Sequence, residues 1–445
     1  MKELTKGYPA KVILLFAFPL MASFIFQQLY NMIDAKIVSA YVGTNAFAAI
    51  GATAVVSNTI IGFINGLTQG FAIPVANAFG AQNFRQIRRF VAGAIILTFS
   101  TAFILTLAGE ILIKRILILL NTTDDIMPFA VSYVKIILAG IIFTAVYNFC
   151  ANTLRAIGDS KTPLYCLIIS VVLNIFLDLL FVKGFSWEIK GAAYATIISQ
   201  AVSGFSCLFY MIYKYKEILP KRDDFTITGK EYTNLITTGL AMGLMSCIVN
   251  IGTIILQGAI NGLGTAIVTA HTAARRLFDI LTIFLYSIGI AMTTYVSQNM
   301  GAGEKKRIKQ GIWQAHIIVT AITTVLLIIC FTLGRFIVEW ITSTDSPEIV
   351  DPAVMYMRIS VLFFYALGPL FVMRCSLQGM GHKIMPIISS ITEMIIKILS
   401  VIFLVPKFGY KGVAFTEPIS WVVMAVILWT AYLIVVREIT DIKSE

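Results

Sequence analysis

VLNIFLDLLFV, Val172–Val182, is an apolar run broken only by Asn174 and Asp178. Four residues apart, these two share one helix face, one turn above the other. A carboxylate inside a segment long enough to cross a bilayer costs about 2.5–3.5 kcal/mol on insertion scales. A proton, a bound cation or a fixed partner charge has to offset that cost. A second acid, Asp34 in LYNMIDAKIV, Leu29–Val38, also stands in an apolar segment. The expectation is that Asp34 and Asp178 meet and that their reversible neutralisation is the working step. Lys36, two residues from Asp34, projects from a different helix face at that spacing.

Composition sets the class. With 58% hydrophobic and 13% charged residues in 445, and a mean hydropathy of +0.86, the chain has too little polar surface for a soluble fold and reads as a polytopic membrane protein. About twelve apolar spans are predicted, near 12–38, 46–78, 90–113, 129–152, 164–183, 190–213, 232–257, 266–299, 312–334, 352–373, 386–406 and 412–436. The first carries Pro19, Gln27 and Asn31 with no small-residue cleavage site, so it reads as a retained span. Lys and Arg concentrate in the termini and alternate loops. The opposite loops hold only Lys114, Arg115, Lys183, Lys190, Arg335, Lys407 and Lys411. That asymmetry places both termini in the cytoplasm of a cell-membrane protein. It also accounts for the net charge of +11 without nucleic acid. The six cysteines stand singly in or beside apolar segments, as reduced packing residues do.

The chain repeats itself. GTNAFAA at Gly43–Ala49 answers GTAIVTA at Gly264–Ala270, and AFGAQNFRQI at Ala78–Ile87 answers NMGAGEKKRI at Asn299–Ile308, both at an offset of 221. LRAIGDSKTP at Leu154–Pro163 answers LQGMGHKIMP at Leu377–Pro386 at an offset of 223. The expected fold is therefore all-α, with two six-helix bundles related by a pseudo-twofold axis along the membrane normal. Residues 1–213 form the first bundle, 214–231 a charged cytoplasmic linker, and 232–445 the second bundle.

Five stretches carry a family likeness: QQLYNMIDAKIV from Gln27, GAQNFRQIRR from Gly80, LRAIGDSKTP from Leu154, NIFLD from Asn174 and GAAYAT from Gly191. In order over nearly the whole length, they resemble the multidrug and toxin extrusion (MATE) family. The resemblance implies secondary active efflux of amphipathic, often cationic compounds in exchange for H+ or Na+, and no other cofactor. It implies a cation site in the N-terminal bundle at Asp34, Asn174, Asp178 and Thr196. This is a set of hard oxygen ligands able to take Na+, or a coupled acid pair able to take a proton. Acids that some branches carry in spans seven and ten are absent: span seven has none after Glu231, and span ten offers Arg358.

The repeat offset sets Asp34 on Ile255, Asp178 on Val401, Asn174 on Lys397 and Thr196 on Glu417. Glu393, Lys397 and Glu417 are thus expected to form an ion cluster in the second bundle, a built-in cation where the first bundle takes an exchangeable one. Tyr30, Gln69, Met242, Gln257, Arg275, Asp279, Tyr286 and Met292 are candidate walls of a substrate cavity. Gly62, Gly66, Gly70 and Pro74 suggest a close-packing stripe with a bend. The three histidines are scattered, and no nucleophile-plus-base pattern or phosphate loop points to an enzyme. Two other functions compete with efflux. One is a lipid-linked saccharide flippase with Arg275, Arg276 and Arg358 lining a pyrophosphate cavity. The other is a membrane scaffold that transports nothing. Oligomeric state is not written in the sequence.

Overall fold

The computed structural model describes residues 3–120 and 122–441, and within these every regular element is helical. The side chains of Thr44, Asn45 and Phe47, in the first copy of the repeat, lie outside the described residues.

In chain order the helices are α1 (Pro9–Tyr41), α2 (Thr44–Gly80), α3 (Phe84–Leu119), α4 (Met127–Ala139), α5 (Ile141–Ala156), α6 (Lys161–Asp178), α7 (Glu188–Lys214) and α8 (Gly229–Asn261). They continue with α9 (Thr265–Gly301), α10 (Lys305–Thr342), α11 (Pro347–Leu362), α12 (Phe364–Gly379), α13 (Ile384–Leu399), α14 (Val405–Phe408) and α15 (Tyr410–Asp441). Ten helical stretches are long and apolar enough to cross a membrane. Two bent pairs bring the number to twelve: α4 with α5 at 45° and α11 with α12 at 51°. The predicted spans near 129–152 and 352–373 are these bent pairs. Helices suit the setting because they satisfy their own backbone hydrogen bonds where no water can. Large apolar side chains such as Phe103, Ile111, Phe209 and Phe336 stand exposed on their surfaces, where a bilayer would cover them.

The repeat is visible in the backbone. Gly43 and Gly264, which open α2 and α9, have φ of 104° and 97°, a region closed to most side chains. Gly158 and Gly381 match likewise at 86° and 88°. A π-helical segment, Leu179–Gly184, follows α6, and another, Ser400–Leu404, follows α13.

The chain forms two compact units, Met1–Glu3 with Ala22–Cys247, and Leu4–Met21 with Ile248–Glu445. The step from Cys247 to Ile248 lies inside the continuous helix α8, and Leu4–Met21 group with the second unit. In the first unit, residues 214–231 lie against α3: Arg88 pairs with Asp224 at 2.8 Å and Arg89 with Glu231 at 2.9 Å. Burial opposes ionisation of Asp224, but the Lys221 N–H and the Arg88 guanidinium outweigh it and hold its carboxyl below the usual range. The glycine stripe of α2 does what its spacing suggests. A Cβ added at Gly66 or Gly70 would stand 2.5 Å from the carbonyl oxygen of Met242 or Thr238 on α8. In the second unit, the N-terminal segment is tied to α9 and α10. Leu4 N–H donates to Gln298 Oε1 at 2.9 Å, and Arg307 donates to the Gly7 carbonyl at 2.9 Å.

Candidate cation site and its counterpart

The Asn174–Asp178 spacing places both side chains on the inward face of α6, where each is 0% exposed. The hydrogen-bond network fixes the Asn174 amide. Its nitrogen donates to Asp178 Oδ2 at 2.8 Å, and its oxygen accepts from the Thr196 N–H at 3.3 Å. On α1, one turn before Asp34, the Tyr30 hydroxyl is hydrogen-bonded to Thr196 Oγ1 at 3.1 Å. The Asp34 side chain reaches the Asp178 carboxyl directly. Helices α1, α6 and α7 thus bring all four expected site residues together.

Two carboxyl groups in hydrogen-bonding contact cannot both stay ionised without compensation, so they hold either a shared proton or a cation between them. No base among the described residues forms an ion pair with either acid. Lys36 is exposed and takes no part. Asp34 Oδ1 and Asp178 Oδ1 are both buried without a hydrogen-bond partner. With the Asn174 and Thr196 oxygens close by, these orphaned atoms make a donor set of hard oxygens only, which fits an alkali cation as well as a proton.

Asp34 also opens onto a cavity of about 370 Å³ within the first unit. The lining is rich in amides and hydroxyls, including Gln27, Asn31, Asn58, Asn148, Thr196 and Gln200, with the rings of Tyr30 and Tyr133. Asp178, fully buried, is not part of this lining, so of the two acids Asp34 is the one in reach of the cavity. Tyr133 was not foreseen, although the repeat offset of 223 sets it on Tyr356, a match visible in the sequence.

The corresponding place in the second unit is filled by charge. Lys397, 1% exposed, contacts Glu393 Oε1 at 2.9 Å and Glu417 Oε1 at 3.8 Å and donates to Thr253 Oγ1 at 3.2 Å. Arg275 donates to Glu417 Oε1 at 2.7 Å and pairs with Asp279 at 3.0 Å. The Tyr356 hydroxyl donates to Glu417 Oε2 at 3.0 Å. Arg374 stands 3.9 Å from Glu393 Oε2. The expected trio is therefore the core of a six-membered network with three cations and three anions. Arg374, Tyr356 and Thr253 were not foreseen, because no spacing rule links them to the trio.

The expected cavity walls separate. Tyr30 lines the cavity of the first unit, and Arg275 and Asp279 belong to the ion network. Met292 is 0% exposed and Met242 4%, so both are packing residues and not walls. Met242 is held where α8 crosses Gly66. Gln257 donates to Asn261 along its own helix at 2.9 Å, and the Tyr286 ring packs edge-on against Phe371. Gln69 is half-buried on α2 and does not line that cavity. An arginine-lined pyrophosphate site loses a principal member, since Arg275 is committed to Glu417 and Asp279.

Comparison with known proteins adds three findings. A family model described as MatE matches residues 19–180 and again 241–403, once in each half. A Bacillus subtilis (strain 168) protein named probable multidrug resistance protein YpnP is 27% identical over 379 residues, covering 85% of this chain and 84% of that one. A Shewanella oneidensis protein named FAD transporter is 22% identical over 402 residues, covering 89% and 88%. A crystal structure of MATE in the bent conformation superposes with a TM-score of 0.92 over 99% of this chain and 98% of that one. At 20% identity, that likeness speaks for the fold.

Proposed function

The chain belongs to the MatE family, and from that premise we propose that it is a secondary active transporter exporting small amphipathic molecules in exchange for H+ or Na+. The observation that carries this reading is the Asp34–Asp178 pair, two span-interior acids in mutual contact, each with a buried oxygen that nothing in the protein satisfies. In a static packing network those oxygens would have donors. In an exchange site they are where the ion goes. The names of relatives favour efflux, and they range from multidrug resistance proteins to a FAD transporter.

The mechanism follows from the geometry. When one proton or Na+ arriving through Asp34 lowers the charge of the pair from −2 to −1, the repulsion between the carboxyl groups is relieved and the cost of burying them falls, so α1, α6 and α7 can pack differently around the pair. When the ion leaves, the mutual repulsion of the carboxylates reverses that preference. Alternating access results if one packing exposes the bound solute to the cytoplasm and the other to the outside. The excess of Lys and Arg in alternate loops supports a cell-membrane orientation with both termini cytoplasmic. The repeat supports two six-helix halves joined through 214–231.

The decisive test is efflux of ethidium from proteoliposomes, with a pH gradient and a sodium gradient imposed separately. Transport under one gradient identifies the coupling ion. Transport under neither refutes the proposal.

A further inference from the structure

One arginine beside the ion network takes no part in it. Arg275, Arg374 and Lys397 balance Asp279, Glu393 and Glu417. Arg276, next to Arg275 on α9, leaves the helix about 100° further round. It is exposed, and among the described residues it has no ion pair or hydrogen bond. Thr265, Thr269, Thr272 and Arg276 are all exposed and fall at spacings of four, three and four, so they form one polar strip along α9. Arg276 lies eleven residues into the helix, roughly 16 Å from its start at 1.5 Å per residue. It therefore stands inside the apolar helix Thr265–Gly301, which is long enough to cross a membrane. An arginine on a membrane-spanning helix that is not buried in its bundle faces a water-filled cavity and not lipid tails, so the strip to which Arg276 belongs faces water.

Its chemistry is asymmetric. The Thr269 and Thr272 hydroxyls donate to the Thr265 and Val268 carbonyls of their own helix at 2.9 and 2.8 Å. They offer lone pairs outward and no proton. The guanidinium is the strip's one charged donor, and its planar fork fits a carboxylate or phosphate in bidentate fashion. The other exposed arginines within spans of this unit are engaged: Arg358 lies over the Phe331 ring at 5.4 Å from its centroid, and Arg335 pairs with Glu339 at 2.9 Å and Asp351 at 3.0 Å.

We propose that Arg276 binds the anionic group of an amphipathic solute, so that the exported compounds include organic anions bearing a carboxylate or phosphate. This rests on the efflux reading and narrows its substrate class. A phospholipid headgroup offers the same phosphate chemistry, so the test separates the two sources.

Wild-type protein, Arg276→Gln and Arg276→Lys are reconstituted into vesicles of phosphatidylcholine alone, and initial efflux rates of carboxyfluorescein and ethidium are measured under the same imposed gradient. Ethidium efflux normalises for the amount of folded protein. Wild type is expected to move both dyes. Arg276→Gln should lower the anion-to-cation rate ratio at least tenfold, and Arg276→Lys, which keeps the charge but not the fork, should fall between. An unchanged ratio in Arg276→Gln overturns the proposal, as does wild type that moves ethidium and not carboxyfluorescein. An effect that appears only when anionic phospholipid is added assigns Arg276 to a lipid and overturns it too. If neither dye moves under a pH or a sodium gradient, the efflux reading fails first and takes this one with it.

Discussion

Replacing Lys397 by Met removes the hub of the ion network while nearly keeping its volume. The two glutamates it serves are not left equally exposed to the loss. Glu417 retains Arg275 at 2.7 Å and the Tyr356 hydroxyl at 3.0 Å. Glu393 retains only Arg374, at 3.9 Å, and it sits among buried residues. Breaking a buried pair from one side leaves an uncompensated charge and costs about 3–5 kcal/mol, whereas replacing both partners by apolar groups of similar size is often neutral. Lys397→Met should therefore lower the melting temperature of detergent-purified protein by several degrees. Glu393→Met/Lys397→Met should recover most of that loss. Fluorescence-detected size-exclusion chromatography after a heating series reads both. If the single variant melts with wild type, or the double variant melts below the single one, the network is not the closed charge balance described here.

Asp34→Asn and Asp178→Asn should each abolish gradient-driven efflux while leaving the elution profile of the purified protein unchanged; retained export by both at normal gradients would remove the exchange site. Gly66→Ala and Gly70→Ala each push a methyl group to 2.5 Å from a carbonyl oxygen of α8, an overpacking cost of about 1–3 kcal/mol. Both should melt lower than Gly258→Ala, whose added Cβ meets nothing within 4 Å, and equal melting would refute the close helix crossing. Asp224→Asn should loosen residues 214–231 from α3 and speed trypsin cleavage there at neutral pH. Because the Asp224 carboxyl is held below its ordinary value, the native anchor is at full strength above about pH 4 and weakens as pH falls through the lowered value. An acid-active protease such as pepsin should therefore cut the wild-type segment faster at pH 2 than at pH 4, relative to an unstructured peptide of the same sequence.

The parts of this molecule that could be read from its sequence were those set by spacing along one helix or by the repeat. Asn174 and Asp178 have to share a face, and the repeat offset alone aligns Lys397 and Glu417 with Asn174 and Thr196. Twelve apolar stretches gave the spans, but not that two of them break near Gly140 and Phe363, because bending depends on what each half packs against. The cavity walls fared worst. Met242, Met292 and Tyr286 are apolar or amphipathic residues whose orientation depends on which neighbouring helix arrives, and nothing local records that. Arg275 could be read as a substrate contact or a salt bridge, and only the arrival of Glu417 from α15 resolves it. Arg374 was silent for the same reason: its partner lies on a different helix.

A turn of π helix holds about one more residue than a turn of α helix, and in this chain the surplus begins immediately after Asp178. Everything upstream of it, Asn174 included, keeps ordinary α register, so the acid's orientation is fixed from the α6 side alone. Removing one residue from Leu179–Gly184 would leave the carboxylate where it is. It would instead wind the stacked rings of Phe181 and Trp187 about 100° around the helix axis, together with the chain leading into α7, which carries Thr196. The length of this short segment thus sets how the two sides of the ion pocket are phased.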